Sequence, residues 1–95
     1  MAFNFSASVT GSAAALTSVA RTPLYGFTIK SALANSQKIY YGYSSNVTAL
    51  SAAATDGMEL SPGESAWIPK EAASDVNALY LISASGTQTV CVEGY

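Results

Sequence analysis

The chain has 95 residues, of which 11% are charged and 49% hydrophobic, and its formal net charge is -2. It contains no histidine and one cysteine, which excludes an internal disulfide, a Cys/His zinc site and a histidine-based nucleophile. The small negative charge gives no general attraction to nucleic acid or to an anionic membrane. We therefore expect a non-enzymatic protein without cofactor or metal, whose function lies in its surface.

The amino-terminal region, residues 1–25, differs from the rest of the chain. Phe3, Phe5 and Val9 alternate with polar residues, as in a strand that is half-buried on one face. A stretch rich in alanine follows over residues 13–20. The segment could be the first strand and loop of a single domain, or an arm that docks on a neighbouring subunit. Because no turn folds it back as a tight hairpin, we predict an extended arm.

From residue 26 onward, short apolar segments rich in β-branched and aromatic residues alternate with turn sequences. The turn at residues 61–64 shows this clearly, with proline in its second position. The pattern predicts an all-β fold, a small antiparallel β-sandwich or barrel over residues 26–95. The predicted strands are residues 27–30, 39–43, 58–60, 65–69, 79–82 and 89–92.

The faces of these strands suggest association with other chains. Residues 79–82 are apolar on both faces, and so are residues 66–68, which fits a central strand or a subunit contact. Trp67 is then a core or interface residue, or a platform for a ligand. The charged fraction of 11% is well below the usual value of about 25%. We expect an oligomer, most simply a homotrimer.

The remaining chemistry-bearing residues point to no active site. Cys91 alternates with apolar neighbours in a strand, which indicates a packed or half-exposed side chain. The acidic residues all lie after position 50 and match no cation-binding loop, so we expect solvated turns. Arg21, Lys30 and Lys38 all precede position 50, and this asymmetry favours head-to-tail association. Tyr40 and Tyr41 point to opposite faces of one strand, which disfavours a base-stacking platform.

Several segments together suggest a family. The chain resembles small β-sandwich structural proteins of tailed bacteriophages over residues 26–93, and is similar in particular to capsid cement (decoration) proteins, such as those of a cyanophage. In such phages these proteins form trimers with intertwined arms over the capsid lattice. The segments that carry the resemblance are residues 38–42, 46–49, 58–65, 77–86 and 90–92.

The resemblance implies a virion structural protein that stabilises the phage head by bridging major capsid proteins. The expected partners are the major capsid protein and further copies of the chain, with no nucleic acid and no membrane. No apolar run reaches the roughly 18 residues of a membrane helix, and the start of the chain is a poor signal peptide. We expect synthesis in the host cytoplasm and a final location on the capsid surface.

The expected contacts with a neighbouring subunit or the capsid are the apolar residues of the arm, its arginine and the tryptophan: Phe3, Phe5, Val9, Leu16, Val19, Arg21 and Trp67. The alternative is a carbohydrate-binding or adhesion module of a virion fibre, which would use Trp67 and the tyrosines. Exposed, coplanar aromatic rings beside Asn or Asp would favour the sugar-binding module. Buried aromatic rings with an apolar seam between subunits would favour the cement protein.

Overall fold

The protein is described by a computed structural model that covers residues 2–18, 20–49 and 55–95. Within these residues, eight strands form two four-stranded antiparallel sheets, which confirms the predicted all-β fold and its two antiparallel layers. A single turn of 3₁₀ helix covers Val76–Ala78. The strands are β1 (Phe3–Val9), β2 (Ala14–Ala15), β3 (Gly26–Ser31), β4 (Ile39–Gly42), β5 (Met58–Leu60), β6 (Ser65–Pro69), β7 (Tyr80–Ser83) and β8 (Gln88–Gly94).

The first sheet has the order β1-β8-β3-β6 and the second the order β2-β7-β4-β5. Every connection except the one between β4 and β5 therefore crosses from one sheet to the other. This strand order is that of an eight-stranded jelly roll, built from two Greek keys. The topology places strands that are distant in sequence side by side, as with β1 and β8.

Because all neighbouring strands are antiparallel, successive connections alternate between the two ends of the sandwich. One end, the short-loop end, holds the connections 10–13, 32–38, 61–64 and 84–87. The opposite end, the long-loop end, holds the three longer connections, from β2 to β3, from β4 to β5 and from β6 to β7. The two ends differ in structure and, as shown below, in surface chemistry.

The core lies between the sheets and follows from the alternation of apolar residues along the strands. In β8 the buried and exposed residues alternate over the whole strand. In the neighbouring strand β3, Ile29 pairs with Val92, and Phe27 and Ile29 face the core on the same side of the sheet as Val92. The largest fully buried apolar side chains are Pro23, Phe27, Ile29, Ile39, Ile68, Val76, Leu79 and Val90. Each fully buried apolar side chain of this size contributes about 1.5 to 3 kcal/mol.

The predicted strands and turns agree closely with the structure after residue 25. β5 and β6 have the predicted bounds, and β3, β4, β7 and β8 differ by one or two residues at their ends. In the predicted turn, the Glu64 N–H donates to the Ser61 carbonyl at 2.9 Å. Gly63 has φ of +89° at the third position, as a type II turn requires.

The predicted amino-terminal arm is not confirmed. Over Phe3–Val9 the segment pairs with β8 of the same chain along its full length, with Phe3 opposite Gly94 and Val9 opposite Gln88. A radius of gyration of 12.1 Å is also that of a compact domain of this length. The physical reason is that β8 needs a partner for its backbone groups on this side, and the alternating pattern of β1 supplies one. A strand can join its own sheet without a tight hairpin when its partner is distant in sequence, and the partner of β1 is the last strand, β8.

Candidate functional site

The outer face of the first sheet carries a groove lined by polar side chains. Strand register places two rows of four residues side by side on this face: Trp67, Thr28, Glu93 and Asn4 in one row, and Ser65, Lys30, Cys91 and Ser6 in the other. All of them except Trp67 line an open groove of about 610 Å³, here called the outer groove. Trp67 stands at the end of its row, on the edge strand β6.

Trp67 lies in a fixed place on the surface. Its Cζ2 and Cη2 atoms are 2.7 and 3.0 Å from the position that a Cβ on Gly26 would occupy, so the ring fills space that only a glycine leaves open. The residue remains 49% exposed. Of the interpretations drawn from the sequence, a core position is therefore wrong, whereas an interface or a ligand platform is compatible with the structure.

Tyr95 stands beside Trp67, with ring centroids 6.4 Å apart and ring planes tilted by 44°. Its hydroxyl donates to Oε1 of Glu93 at 2.5 Å. This hydrogen bond, followed by desolvation and the negative charge of Glu93, raises the pKa of Tyr95, so the phenol stays protonated at neutral pH. Sequence reasoning missed Tyr95. The signal that could have found it is the period of two from Cys91 through Glu93, which continues the outer face to residue 95.

The outer groove combines hydrogen-bond donors and acceptors without excess charge. Lys30 supplies one positive charge and Glu93 one negative charge. Asn4 offers both an amide donor and a carbonyl acceptor, and the hydroxyls of Ser6 and Ser65 can do either. Such a surface is suited to a polar, uncharged ligand that presents donors and acceptors at short intervals.

The tyrosines expected to assist Trp67 do not join it. Tyr41 packs against the core, and Tyr40 lies opposite Glu59 and Ile82 in the second sheet. This confirms that the two side chains point to opposite faces of one strand. Among the exposed aromatic residues described, Tyr95 is the one whose ring meets that of Trp67.

Exposed large apolar side chains gather at the long-loop end. Leu24 and Tyr25 directly precede β3, Tyr43 follows β4 and Met58 begins β5, so all four lie toward this end of the sandwich. Leu24 is 64% exposed. These four residues are called the apolar end below. The short-loop end has one comparable residue among those described, Leu33, which is 79% exposed.

Three of the predicted contact residues form a small cluster at the start of β1, also at the long-loop end. The Arg21 guanidinium carbon lies 4.7 Å from the centroid of the Phe5 ring and 5.9 Å from that of Phe3. Both rings are half-buried against the core. The exposed arginine thus covers aromatic surface that would otherwise face water.

Two other predicted contact residues are not available as contacts in this fold. Val9 and Leu16 belong to the core of their own chain, because β1 and β2 pair within the sandwich instead of leaving it. The Leu16 N–H donates to the Leu79 carbonyl at 2.8 Å, which holds this residue inward. Val19 lies outside the described residues.

Asp75 joins two of the long connections. Its carboxylate accepts from the Arg21 N–H at 3.0 Å, the Thr22 hydroxyl at 2.8 Å and the Asn77 N–H at 3.1 Å. Burial, the largest single influence, raises the pKa of this carboxyl. The hydrogen bonds from Asn77, Thr22, Arg21 and Val76 together outweigh it, so the pKa of Asp75 is lowered.

The described part of the chain holds no group of three or more His, Cys, Asp or Glu side chains placed to bind a metal ion. Among the same residues, no helix is long and apolar enough to cross a membrane. No protein-family model, no curated protein and no solved structure matches the chain.

Proposed function

We propose that the chain is a capsid cement (decoration) protein of a tailed bacteriophage, a virion structural protein that acts by binding and not by catalysis. It stabilises the head by bridging neighbouring major capsid proteins. The resemblance of residues 26–93 to phage structural proteins supports this, and so does the jelly roll, an architecture that viral capsid domains use. Because lectins and other proteins share the architecture, the fold alone does not select the function.

The observation that carries the proposal is the concentration of exposed apolar side chains at one end of a protein with few charges. Leu24, Tyr25, Tyr43 and Met58 leave apolar surface open at the long-loop end, where it can be covered by another protein. On this proposal the apolar end faces the shell. Arg21, with Phe3 and Phe5 beneath it, borders the same contact.

Joining several copies would strengthen a weak contact. If the protein is a homotrimer, binding of one subunit to the shell raises the effective concentration of the other two, and avidity exceeds the affinity of a single subunit. The basic and acidic halves of the sequence favour head-to-tail contacts between such copies. The partners are therefore the major capsid protein and the chain itself, on the capsid surface.

The test is co-expression with the major capsid protein encoded in the same genome, followed by gradient purification of the assembled shells. The protein should sediment with the shells at a constant ratio. Leu24→Asp should lower that ratio at least tenfold, because it places a charge in an apolar contact; a tenfold loss corresponds to about 1.4 kcal/mol. Occupancy is measured by quantitative gel densitometry or mass spectrometry.

Leu33→Asp is the matched control, since Leu33 is equally apolar and exposed but lies at the short-loop end. It should leave the ratio unchanged. Failure of the unmodified protein to sediment with shells would refute the cement function. Equal loss in both variants would refute the assignment of the apolar end as the contact.

A further inference from the structure

We infer that the outer groove and the Trp67 and Tyr95 rings beside it form a binding site for a neutral oligosaccharide, with the two rings as an aromatic wall next to the groove and Glu93 as the central hydrogen-bond acceptor. This inference does not rest on the proposed function, because the outer groove itself lies on the outer face of the first sheet. Tyr95 adjoins the apolar end, since the Tyr25 N–H donates to the Tyr95 carbonyl at 3.0 Å. It assigns a ligand class to Trp67, Tyr95 and the outer groove, which are not among the contacts proposed for the shell.

The backbone of the adjacent strand sets the position of the Trp67 ring. Gly26 leaves room for the edge of the Trp67 ring, so the ring is placed by the main chain of the adjacent strand instead of by a flexible contact. Tyr95 extends the aromatic surface at 6.4 Å, tilted by 44°. The rings are thus not the coplanar platform expected of a sugar-binding module, and together they form a shallow corner instead. The C–H faces of a pyranose ring are the apolar surface that such a corner can cover.

The polar floor begins directly beside this corner. Thr28 pairs with Trp67 on one side and with Glu93 on the other, and Glu93 pairs with Asn4. A row of four strands at a spacing of about 4.8 Å spans roughly 14 Å, which is long enough for a short oligosaccharide. Glu93 already holds the Tyr95 hydroxyl, so its carboxylate is oriented beside the aromatic wall.

The charges of the groove favour a neutral sugar over nucleic acid, a polycationic segment or a protein surface. Lys30 and Glu93 cancel, so neither a polyanion such as nucleic acid nor a polycationic segment would gain from the groove as a whole. A protein surface of the usual kind would demand a more apolar centre than the serine, threonine and asparagine side chains provide. A neutral sugar matches both the apolar corner and the closely spaced donors and acceptors.

The experiment uses the full chain and its single tryptophan as the reporter. A broad glycan array identifies binders, and the best neutral oligosaccharide is then titrated while Trp67 fluorescence is recorded. We expect saturable binding that changes the emission of Trp67. Glu93→Gln should weaken binding about tenfold, since it removes a charged hydrogen-bond acceptor. Trp67→Ala, measured by calorimetry, should abolish detectable binding.

Tyr43→Ala is the matched aromatic control, because Tyr43 is as exposed as Trp67 but follows β4 in the other sheet. It should bind the sugar as the unmodified protein does. Trp67→Ala should in turn keep its occupancy on shells, so that loss of sugar binding and loss of shell binding are separate results. Trp67→Ala is also compared with the parent by circular dichroism, which shows whether the fold is retained.

Four outcomes would overturn the inference. One is an array without any neutral binder, and another is a preference for sulfated or phosphorylated glycans over neutral ones. The third is an emission spectrum of the purified protein in which Trp67 is already shielded from water, because that result would place the face inside an oligomer. Binding that survives both Glu93→Gln and Trp67→Ala would locate the sugar elsewhere and would equally refute the site.

Discussion

The two ends of the sandwich differ in the kind of residue that they carry. At the short-loop end, buried polar groups are satisfied internally: Gln88 accepts from the Ser36 N–H at 3.0 Å and donates to the Ser85 carbonyl at 3.0 Å. At the long-loop end, large apolar side chains remain exposed, Leu24 and Tyr25 among them. The comparison indicates that the short-loop end maintains the fold, whereas the long-loop end offers surface to a partner.

The difference follows from the length of the connections. A short connection between two sheets must turn close to the core, so its backbone groups are partly buried and need partners. Asn35 shows this, since its side chain bonds both the N–H and the carbonyl of Thr89 at 2.8 Å. The longer connections have residues to spare: some of those described, such as Val76 and Leu79, enter the core, while others, such as Leu24 and Tyr25, stay exposed and are free to serve binding.

The largest expected effect on stability comes from removing β1, which runs from the long-loop end to the short-loop end. Deleting residues 2–9 takes away Val9 and the half-buried Phe3 and Phe5, and leaves β8 without a partner on that side. At about 1.5 to 3 kcal/mol for each buried side chain, the loss approaches the whole stability of a small domain, about 5 kcal/mol at the low end. The truncated chain should be unfolded by circular dichroism at room temperature.

Ser8→Ala is the control for this deletion, since Ser8 points outward from the same strand. It should change the free energy of unfolding by less than about 0.5 kcal/mol. A truncated chain that melts cooperatively near the temperature of the parent would contradict the structure and restore the arm that the sequence predicted.

The second-largest expected effect on stability is at the short-loop end. Gln88→Leu removes the acceptor for the Ser36 N–H and the donor to the Ser85 carbonyl, which are then left without these partners. Ser36 and Ser85 are exposed, so water can reach their freed backbone groups, and the cost is the net loss of two hydrogen bonds at about 0.5 to 1.5 kcal/mol each. The variant should therefore lose about 1 to 3 kcal/mol in urea unfolding. Gln37→Leu, an exposed amide in the same loop, should lose far less; equal losses would show that burial of Gln88 is not what matters.

At the long-loop end, Asp75→Ala should have a smaller effect of about 1 kcal/mol, the usual cost of losing a capping carboxylate. The pKa of Asp75 is lowered in the folded state, so its contribution is complete above the ordinary aspartate value of about 3.9. It disappears as the pH falls through the lowered folded-state pKa. The parent and Asp75→Ala should therefore differ in melting temperature at neutral pH, and the difference should shrink as the pH falls below the ordinary aspartate value. A constant difference over that range would contradict the carboxylate as the cause.

The sequence predicted the strands after residue 25 because their signals are local. Alternation marks β8, and proline followed by glycine marks the turn at 61–64. The pairing of β1 with β8 could not be predicted, since alternation shows that a strand is half-buried but not on which partner. The two-residue strand β2 was missed because alanine carries too little side chain to form a pattern.

The candidate site was predictable in part. Trp67 was singled out as a core residue, an interface residue or a ligand platform, but its neighbours Glu93, Asn4 and Tyr95 come from opposite ends of the sequence. Only the register of β1, β8, β3 and β6 brings Glu93 and Asn4 into the row of Trp67 and places Tyr95 beside it. The role of Gly26 beneath the Trp67 ring is likewise a matter of cross-strand contact, and no local pattern in the sequence reports it.

The smallest effect concerns Arg21. Its guanidinium lies 4.7 Å from the centroid of the Phe5 ring, and an exposed cation–π contact of this kind contributes about 0.5 to 1 kcal/mol. Arg21→Gln keeps the backbone N–H that binds Asp75, so it should lower the free energy of unfolding by about 0.5 kcal/mol. Lys30→Gln, which removes a positive charge from the outer groove, is the charge-matched control and should have less effect on unfolding. If both variants lose the same free energy of unfolding, the effect of Arg21 comes from its net charge alone. The cluster with Phe3 and Phe5 then does not stabilise the long-loop end.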